Sequence, residues 1–356
     1  MTFPPALSTS CRVVCETVES ACLQGNRLGD PSARSTAVIL PPSYDRDPAR
    51  RYPVIVVLAA FASAGWQLLN RAPLAEALDE RLARLHQSDP AMPECILVIP
   101  DCWTALGGSQ YVNSPALGRY EDHVVREVVP LIDRRYRTLP LAAHRAVIGR
   151  SSGGIGALWL VMNHPEVFGA VASHAGDGFF RATLPPELLK FCRRVRRYGG
   201  PQGVLAHWLG LGKAQRSSDL FDVMTILASA AAYSPDAADP LGFALPVDWQ
   251  TATLRDEVMA RWLRYDPVEI CGEEPYRSAL AGMRLLYLDA GTRDEYYLDL
   301  AARQLAARLT RLGIAHQHEE FDDGHMNTNY RFDRSLPLLA RAIAPPGDAA
   351  AALGGA

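Results

Sequence analysis

The most constraining stretch of the chain is Ala146-Val147-Ile148-Gly149-Arg150-Ser151-Ser152-Gly153-Gly154, followed by Ile155-Gly156-Ala157-Leu158-Trp159-Leu160. An apolar run of strand character enters a Gly-x-Ser-x-Gly turn and leaves it with helical character. A strand that passes into a helix within three residues does so on a strained backbone, so small residues must flank the serine. Such a turn lifts the Ser151 hydroxyl clear of the sheet. It also aims the next backbone N–H, that of Ser152, at the place where negative charge develops on an attacked carbonyl. The same five residues also fit a glycine-rich connection with an idle serine, and the rest of the chain decides between the two.

The surrounding pattern alternates strands and helices. Residues 12–17 and 35–40 read as strands, the second stopped by Pro41-Pro42, and 53–59 and 95–99 are apolar runs suited to strands covered on both faces. Residues 65–86 carry helical periodicity that Pro73 divides. Tyr120, Val124, Val128, Ile132 and Tyr136 recur every four residues, predicting a helix kinked at Pro130. A strand at 170–174 follows the elbow helix. The alternation resumes with a strand at 283–289, a helix from Leu298 to Leu312 ended by Gly313, a strand at 316–321 and a helix over 335–343 with Pro337 in its first turn. This order predicts an α/β chain with a mostly parallel sheet flanked by helices and right-handed crossovers.

Between Ala175 and Gly282 the alternation breaks, and helical patterns appear at 187–198, 218–232 and 254–263. The expected organisation is a core of residues 1–174 and 283–344, a helical lid at 175–282 and a flexible tail at 345–356. The lid is placed over the carboxyl ends of the strands because the ligand crevice of open α/β sheets lies there.

Composition narrows the function classes. The chain has 356 residues, 48% hydrophobic and 21% charged, with a formal net charge of -3. That balance gives no reason to expect a nucleic-acid or membrane-surface partner, and it leaves a homo-oligomer open. The seven cysteines are odd in number and lack zinc-ligand spacing, so reduced thiols in a cytoplasmic protein and no metal site are expected. No signal peptide and no membrane-spanning run are evident in the sequence.

A serine hydroxyl needs a base within hydrogen-bond reach and an acid to hold that base in the right tautomer. With a strand–turn–helix serine the partners follow in the order acid, then histidine. Asp294 lies in a loop directly after the strand at 283–289, and His325 lies in a Gly-containing loop after the next strand. Asp177, just past the strand at 170–174, is the alternative acid and otherwise a substrate contact. His174 is the next candidate base, and Asp289, at the end of its strand, is read as structural. A second oxyanion donor is expected from the loop after Ala59, with the Phe61 N–H chosen and Ala60 and Ala62 as neighbouring alternatives. Trp103, Tyr111 and Asn113, in the loop after the strand at 95–99, are expected around the crevice.

With these residues in place, the chain resembles the putative-esterase family of α/β-hydrolases, which includes esterase D, enterochelin esterase-like proteins, feruloyl esterases and mycolyltransferases. The resemblance runs from about Gly25 to Ile343. It rests on Leu40-Pro41-Pro42-Ser43-Tyr44, Tyr52-Pro53-Val54, Gly149 to Gly154, Gly291-Thr292-Arg293-Asp294-Glu295 and Asp323-Gly324-His325. It implies the α/β-hydrolase fold, Ser151, Asp294 and His325 as nucleophile, acid and base, and no metal or organic cofactor. Relatives usually carry His-Gly where this chain has Ala59-Ala60, and Ala60 disfavours positive φ. The expected activity is serine carboxylic-ester hydrolysis of a small-molecule ester through an acyl-enzyme. A serine peptidase or acyltransferase on the same residues, or a non-catalytic binding protein of this fold, are the alternatives.

Overall fold

Strands β1 (Arg12–Glu19) and β2 (Ala33–Leu40) pair antiparallel from Arg12↔Leu40 to Glu19↔Ala33, with β1 exposed at the sheet edge and β2 largely buried. The computed structural model describes residues 11–212 and 220–346. β3 (Val54–Leu58) follows, then a 3-10 turn at Gly65–Leu69 and helix α1 (Leu78–Ser88). The helical pattern at 65–86 thus resolves into two pieces with Pro73 between them. Proline lacks an N–H and disfavours helical backbone in the residue before it. β4 (Ile96–Pro100), like β3, is buried along its whole length. The next loop contains a small antiparallel pair, β5 (Asn113–Ser114) with β6 (Gly118–Arg119).

The helix expected around Pro130 is three segments: α2 (Tyr120–Asp122), a π-helical stretch at His123–Val128, and α3 (Val129–Arg135). The Val129 N–H reaches back five residues to the Val124 carbonyl. The wider turn accommodates a proline, which has no N–H to donate and whose ring crowds the preceding turn.

β7 (Arg145–Arg150), α4 (Ser152–Asn163) and β8 (Ala170–His174) form the central strand–helix–strand unit. Helices α5 (Phe180–Val195), α6 (Pro201–Gly210), α7 (Phe221–Tyr233), α8 (Asp256–Leu263), α9 (Pro267–Ile270) and α10 (Tyr276–Ala281) follow before the sheet resumes. β9 (Leu285–Gly291), α11 (Leu298–Arg311), β10 (Gln317–Phe321) and α12 (Phe332–Ile343) complete the chain. The eight-stranded sheet has the order β1-β2-β4-β3-β7-β8-β9-β10, parallel from β4 to β10. Side chains alternate across β3: Val54, Val56 and Leu58 join the core under α4 and the insertion, whereas Ile55 and Val57 join the core under α1 and α12. Most of the expected tail, from residue 347 onward, lies outside the described residues.

Two helix starts differ from expectation. α5 begins at Phe180 rather than Glu187 and carries Pro185 and Pro186 inside it. The Asp266 carboxylate, far away in sequence, accepts the N–H groups of Phe179 at 2.9 Å and Phe180 at 2.7 Å and so caps the helix. α12 begins at Phe332, which leaves Pro337 inside the helix rather than in its first turn.

Beneath α12 the ends of β8 and β9 are tied by a buried polar network. His174 shares hydrogen bonds with Asp289 (2.6 Å) and Ser335 (2.8 Å), and Arg331 donates to the other Asp289 oxygen at 2.8 Å. Burial pushes the Asp289 carboxyl up, but His174 and Arg331 outweigh it and hold the pKa below the usual value. The stabilisation from this depressed pKa is complete above the unfolded-state value and is lost as pH falls through the folded one. Asp289→Ala is expected to destabilise the fold by about 3–5 kcal/mol, because it strands buried partners, and urea denaturation at neutral pH measures this.

Candidate active site

Ser151 directly follows β7 and caps α4 with φ 56 and ψ -124, a conformation sparsely populated by any residue with a side chain. Three contacts hold it there. Its N–H donates to the His174 carbonyl at 2.9 Å, and its own carbonyl accepts from Gly154 at 2.7 Å and Ile155 at 3.1 Å. The flanking glycines are required sterically. A Cβ on Gly149 would lie 2.2 Å from the Gly153 carbonyl oxygen, and one on Gly153 would lie 2.5 Å from that of Leu58.

From this turn the Ser151 hydroxyl meets His325 Nε2 at 3.0 Å, while His325 Nδ1 meets Asp294 Oδ2 at 2.7 Å. The carboxylate can only accept from Nδ1–H, which leaves Nε2 as acceptor for the serine proton. Asp294 follows β9 and is held by the Tyr296 N–H on its other oxygen at 2.9 Å. His325 sits in the loop after β10, fixed on three sides. Its N–H donates to Glu295 at 2.7 Å, its carbonyl accepts from Arg150 at 2.9 Å, and the edge of its ring meets Tyr296 with centroids 4.9 Å apart. Arg150 and Glu295 lie inside the sequence motifs, but nothing in the sequence pattern signals their hold on His325.

Beside Ser151, the Ser152 N–H is at the first position of α4 and has no acceptor within the helix. Phe61 lines the same cavity as Ser151 and His325. In its turn the Ala62 N–H donates to Gly107 at 3.0 Å and the Ser63 N–H to Ala60 at 3.1 Å. The positive φ falls on Ala62 at 58°, so Ala60, standing where relatives carry glycine, avoids the left-handed region.

The cavity is walled largely by the insertion, with Phe180, Phe221, Tyr233 and Trp262 facing Phe61 and Tyr296. Asp177 lines it, whereas Trp103 and Tyr111 line a smaller adjoining cleft with Ala59, Ala60 and Ser152, and Asn113 lines neither. The Tyr111 hydroxyl donates to the Ala59 carbonyl at 2.7 Å, and its ring packs so closely on Gly156 that a Cβ there would come within 2.4 Å. Tyr111 therefore braces the turn before Phe61. Trp103 stacks against the Arg34 guanidinium 5.5 Å from its ring centre, and its carbonyl accepts from Arg34 at 3.1 Å. The Asn113 side chain accepts the Asp122 N–H at 3.1 Å. All three belong to the segment 101–122, and their partners hold them outside the larger cavity. His174 and Asp289, the competing base and the strand-end acid, are bound to each other under α12. The aromatic wall went unrecognised in the sequence, since its residues are spread over three helices and read as ordinary core.

A strained serine elbow hydrogen-bonded to a histidine that is itself held by an aspartate, at the carboxyl end of a mostly parallel sheet, defines an α/β-hydrolase. The chain belongs to the putative esterase family, whose model matches residues 30–337, and is an enzyme of ester-hydrolase type. Solved structures with the same fold include a ferulic acid esterase, 19% identical with a TM-score of 0.59, covering 93% of this chain and 98% of the other. An S-formylglutathione hydrolase from Agrobacterium tumefaciens is 14% identical with a TM-score of 0.57, covering 95% and 98%. FphF, a fluorophosphonate-binding serine hydrolase of Staphylococcus aureus, is 11% identical with a TM-score of 0.55, covering 93% and 98%. No curated protein sequence matches significantly. None of the seven cysteines forms a disulfide, and no helix among the described residues is long and apolar enough to cross a membrane.

Asp177 is densely surrounded by protein yet reaches solvent through the cavity. Burial, first, pushes its carboxyl up to about 6; the His325 ring pulls the pKa down and Asp294 pushes it up. A carboxyl with a raised folded pKa adds no penalty below the unfolded value near 4. It weakens the fold progressively as pH rises through about 6. Asp177→Asn is therefore expected to stabilise the protein at pH 7.5 by about 1 kcal/mol, allowing for solvent screening, and to have little effect at pH 4. Thermal unfolding of both proteins across that range measures the difference.

Proposed function

We propose that the enzyme hydrolyses carboxylic esters through Ser151, His325 and Asp294 by way of an acyl-enzyme. The observation that carries this reading is the unbroken hydrogen-bonded chain from the Ser151 hydroxyl through His325 to Asp294. Ser151 Oγ attacks the ester carbonyl as its proton passes to His325 Nε2, and the carbonyl π electrons move onto oxygen. Asp294 keeps the imidazole oriented and stabilises the imidazolium. The N–H groups of Ser152 and Phe61 receive the oxyanion. The intermediate collapses, the C–O bond to the alcohol breaks, and the leaving oxygen takes the proton from Nε2. Water then attacks the acyl-serine with Nε2 as base, and the second collapse releases the acid and restores the Ser151 hydroxyl.

The insertion at 175–282 acts in this reading as a substrate-binding cap. Support comes from its residues forming most of the cavity wall opposite Ser151.

Hydrolysis of p-nitrophenyl acetate, butyrate and octanoate by wild type and Ser151→Ala tests the assignment. The variant is expected to lose roughly 10⁴-fold or more in kcat, and equal rates would overturn it. Asp294→Asn is expected to lose on the order of 10³–10⁴-fold while leaving the fold intact by circular dichroism.

A further inference from the structure

The esterase reading leaves the chemistry of the cavity unassigned, and its charges are unevenly satisfied. Among the described residues that line it are three carboxylates, those of Asp177, Glu187 and Asp222, and one basic side chain, His325. Glu187 receives Lys190 at 2.7 Å, and Asp222 pairs with Arg194 at 3.4 Å. Both therefore have their own countercharge. Asp177 differs: among the described residues its carboxylate takes no hydrogen bond and no Lys or Arg, and its neighbours in charge are His325 and Asp294. An ionised carboxylate crowded by protein and hydrated only through the cavity is costly, and a ligand that supplies positive charge there offsets that cost.

The wall next to Asp177 is suited to the same ligand. Phe180 and Tyr233, 3% and 4% exposed, border the cavity with ring centres 5.9 Å apart, and the fully buried Trp262 backs Tyr233 at 5.5 Å. Ring faces attract a cation, and the attraction grows as the site excludes water. Tyr233 also lies near enough to Asp177 for that charge, after burial, to raise the phenol pKa well above its ordinary value, so the hydroxyl stays un-ionised. A neutral hydroxyl on a ligand would bond Asp177 but leave its charge uncompensated. An anionic group would be repelled by it. A cationic nitrogen satisfies both the carboxylate and the rings.

We propose that Asp177 and the Phe180–Tyr233 wall, backed by the buried Trp262, form a subsite for a cationic nitrogen, making the enzyme selective for esters that carry an ammonium group in the part occupying the cavity. The substrate selectivity rests on the esterase reading above, whereas the subsite itself does not.

Pairs of esters that differ only by nitrogen against carbon test this. The acyl arm compares p-nitrophenyl 4-(trimethylammonio)butanoate with p-nitrophenyl 5,5-dimethylhexanoate. The alcohol arm compares butyrylcholine with 3,3-dimethylbutyl butyrate. In one arm the cationic ester is expected to exceed its neutral partner in kcat/KM by roughly tenfold or more, and Asp177→Asn is expected to bring that ratio close to one. The ratio cancels any change that loss of the Asp177 charge makes to the chemistry common to both esters. A ratio near one in both arms for wild type, or a ratio that Asp177→Asn leaves unchanged, overturns the selectivity.

Calorimetric titration of pentyltrimethylammonium into Ser151→Ala separates the two readings, since it needs no turnover. Saturable binding that weakens about tenfold when Asp177→Asn is added supports the subsite. Absent binding, or binding indifferent to Asp177, overturns the subsite even if the esters are hydrolysed. If no ester is turned over faster than by Ser151→Ala, the esterase reading and the selectivity fail together, and the titration alone decides the subsite.

Discussion

The site depends on one strained peptide unit. Ser151 sits at φ 56 and ψ -124, and the surroundings must over-determine that geometry for it to persist. They do so by close approach: Gly149 lies against Gly153, and Gly153 lies against the end of β3, with no room for a Cβ at either position. The pairing of β7 between β3 and β8 supplies the rigid frame. Once Ser151 is fixed at the carboxyl end of that sheet, the loops after β9 and β10 need only reach the same edge. Parallel pairing of β9 with β10 brings them there side by side.

The molecule contains two Ser–His–Asp sets with nearly the same bond lengths, and their surroundings separate them. Ser335, His174 and Asp289 are 0%, 3% and 1% exposed, and Arg331 neutralises the carboxylate from the other side. No substrate can reach that serine, and its hydroxyl lies on α12 without a strained elbow. The set functions as a tie between the sheet and α12. Ser151 and His325 open instead onto a cavity, and among the described residues no Lys or Arg forms an ion pair with the Asp294 carboxylate. Proton-transfer geometry is common to both, while access and electrostatic freedom belong to one.

The insertion is a packed part of the molecule as well as a cavity wall. Phe180, Val223, Tyr233 and Trp262 belong to the same core as Val54, Val56 and Val147 of the central strands. Its first helix is capped by Asp266 from the far end of the same insertion, so the wall and its support are built together. The unpartnered Asp177 lies at the junction, just after β8 and just before α5. A charge that no Lys or Arg among the described residues meets at that point weakens the fold at neutral pH and adds to the polarity of the cavity, a pairing common at binding sites.

The sequence by itself determined the alternation of strands and helices, the elbow, and the order of Ser151, Asp294 and His325. Those features are carried by local periodicity, by glycine's lack of a Cβ, and by loops that directly follow recognisable strands. It also pointed to Asp177 and Phe61 at the crevice, because both directly follow strand ends. Long-range contact decided the rest. Asp266 moved the start of α5 ahead of two prolines that locally mark a boundary. Arg34, the Ala59 carbonyl and the Asp122 N–H drew Trp103, Tyr111 and Asn113 into bracing and capping bonds. Phe180, Tyr233 and Trp262, spread over three helices, became one aromatic wall. Whether a polar or aromatic side chain faces a substrate, a neighbouring backbone or the core depends on which partners reach it in space, and one-dimensional spacing carries no record of those partners.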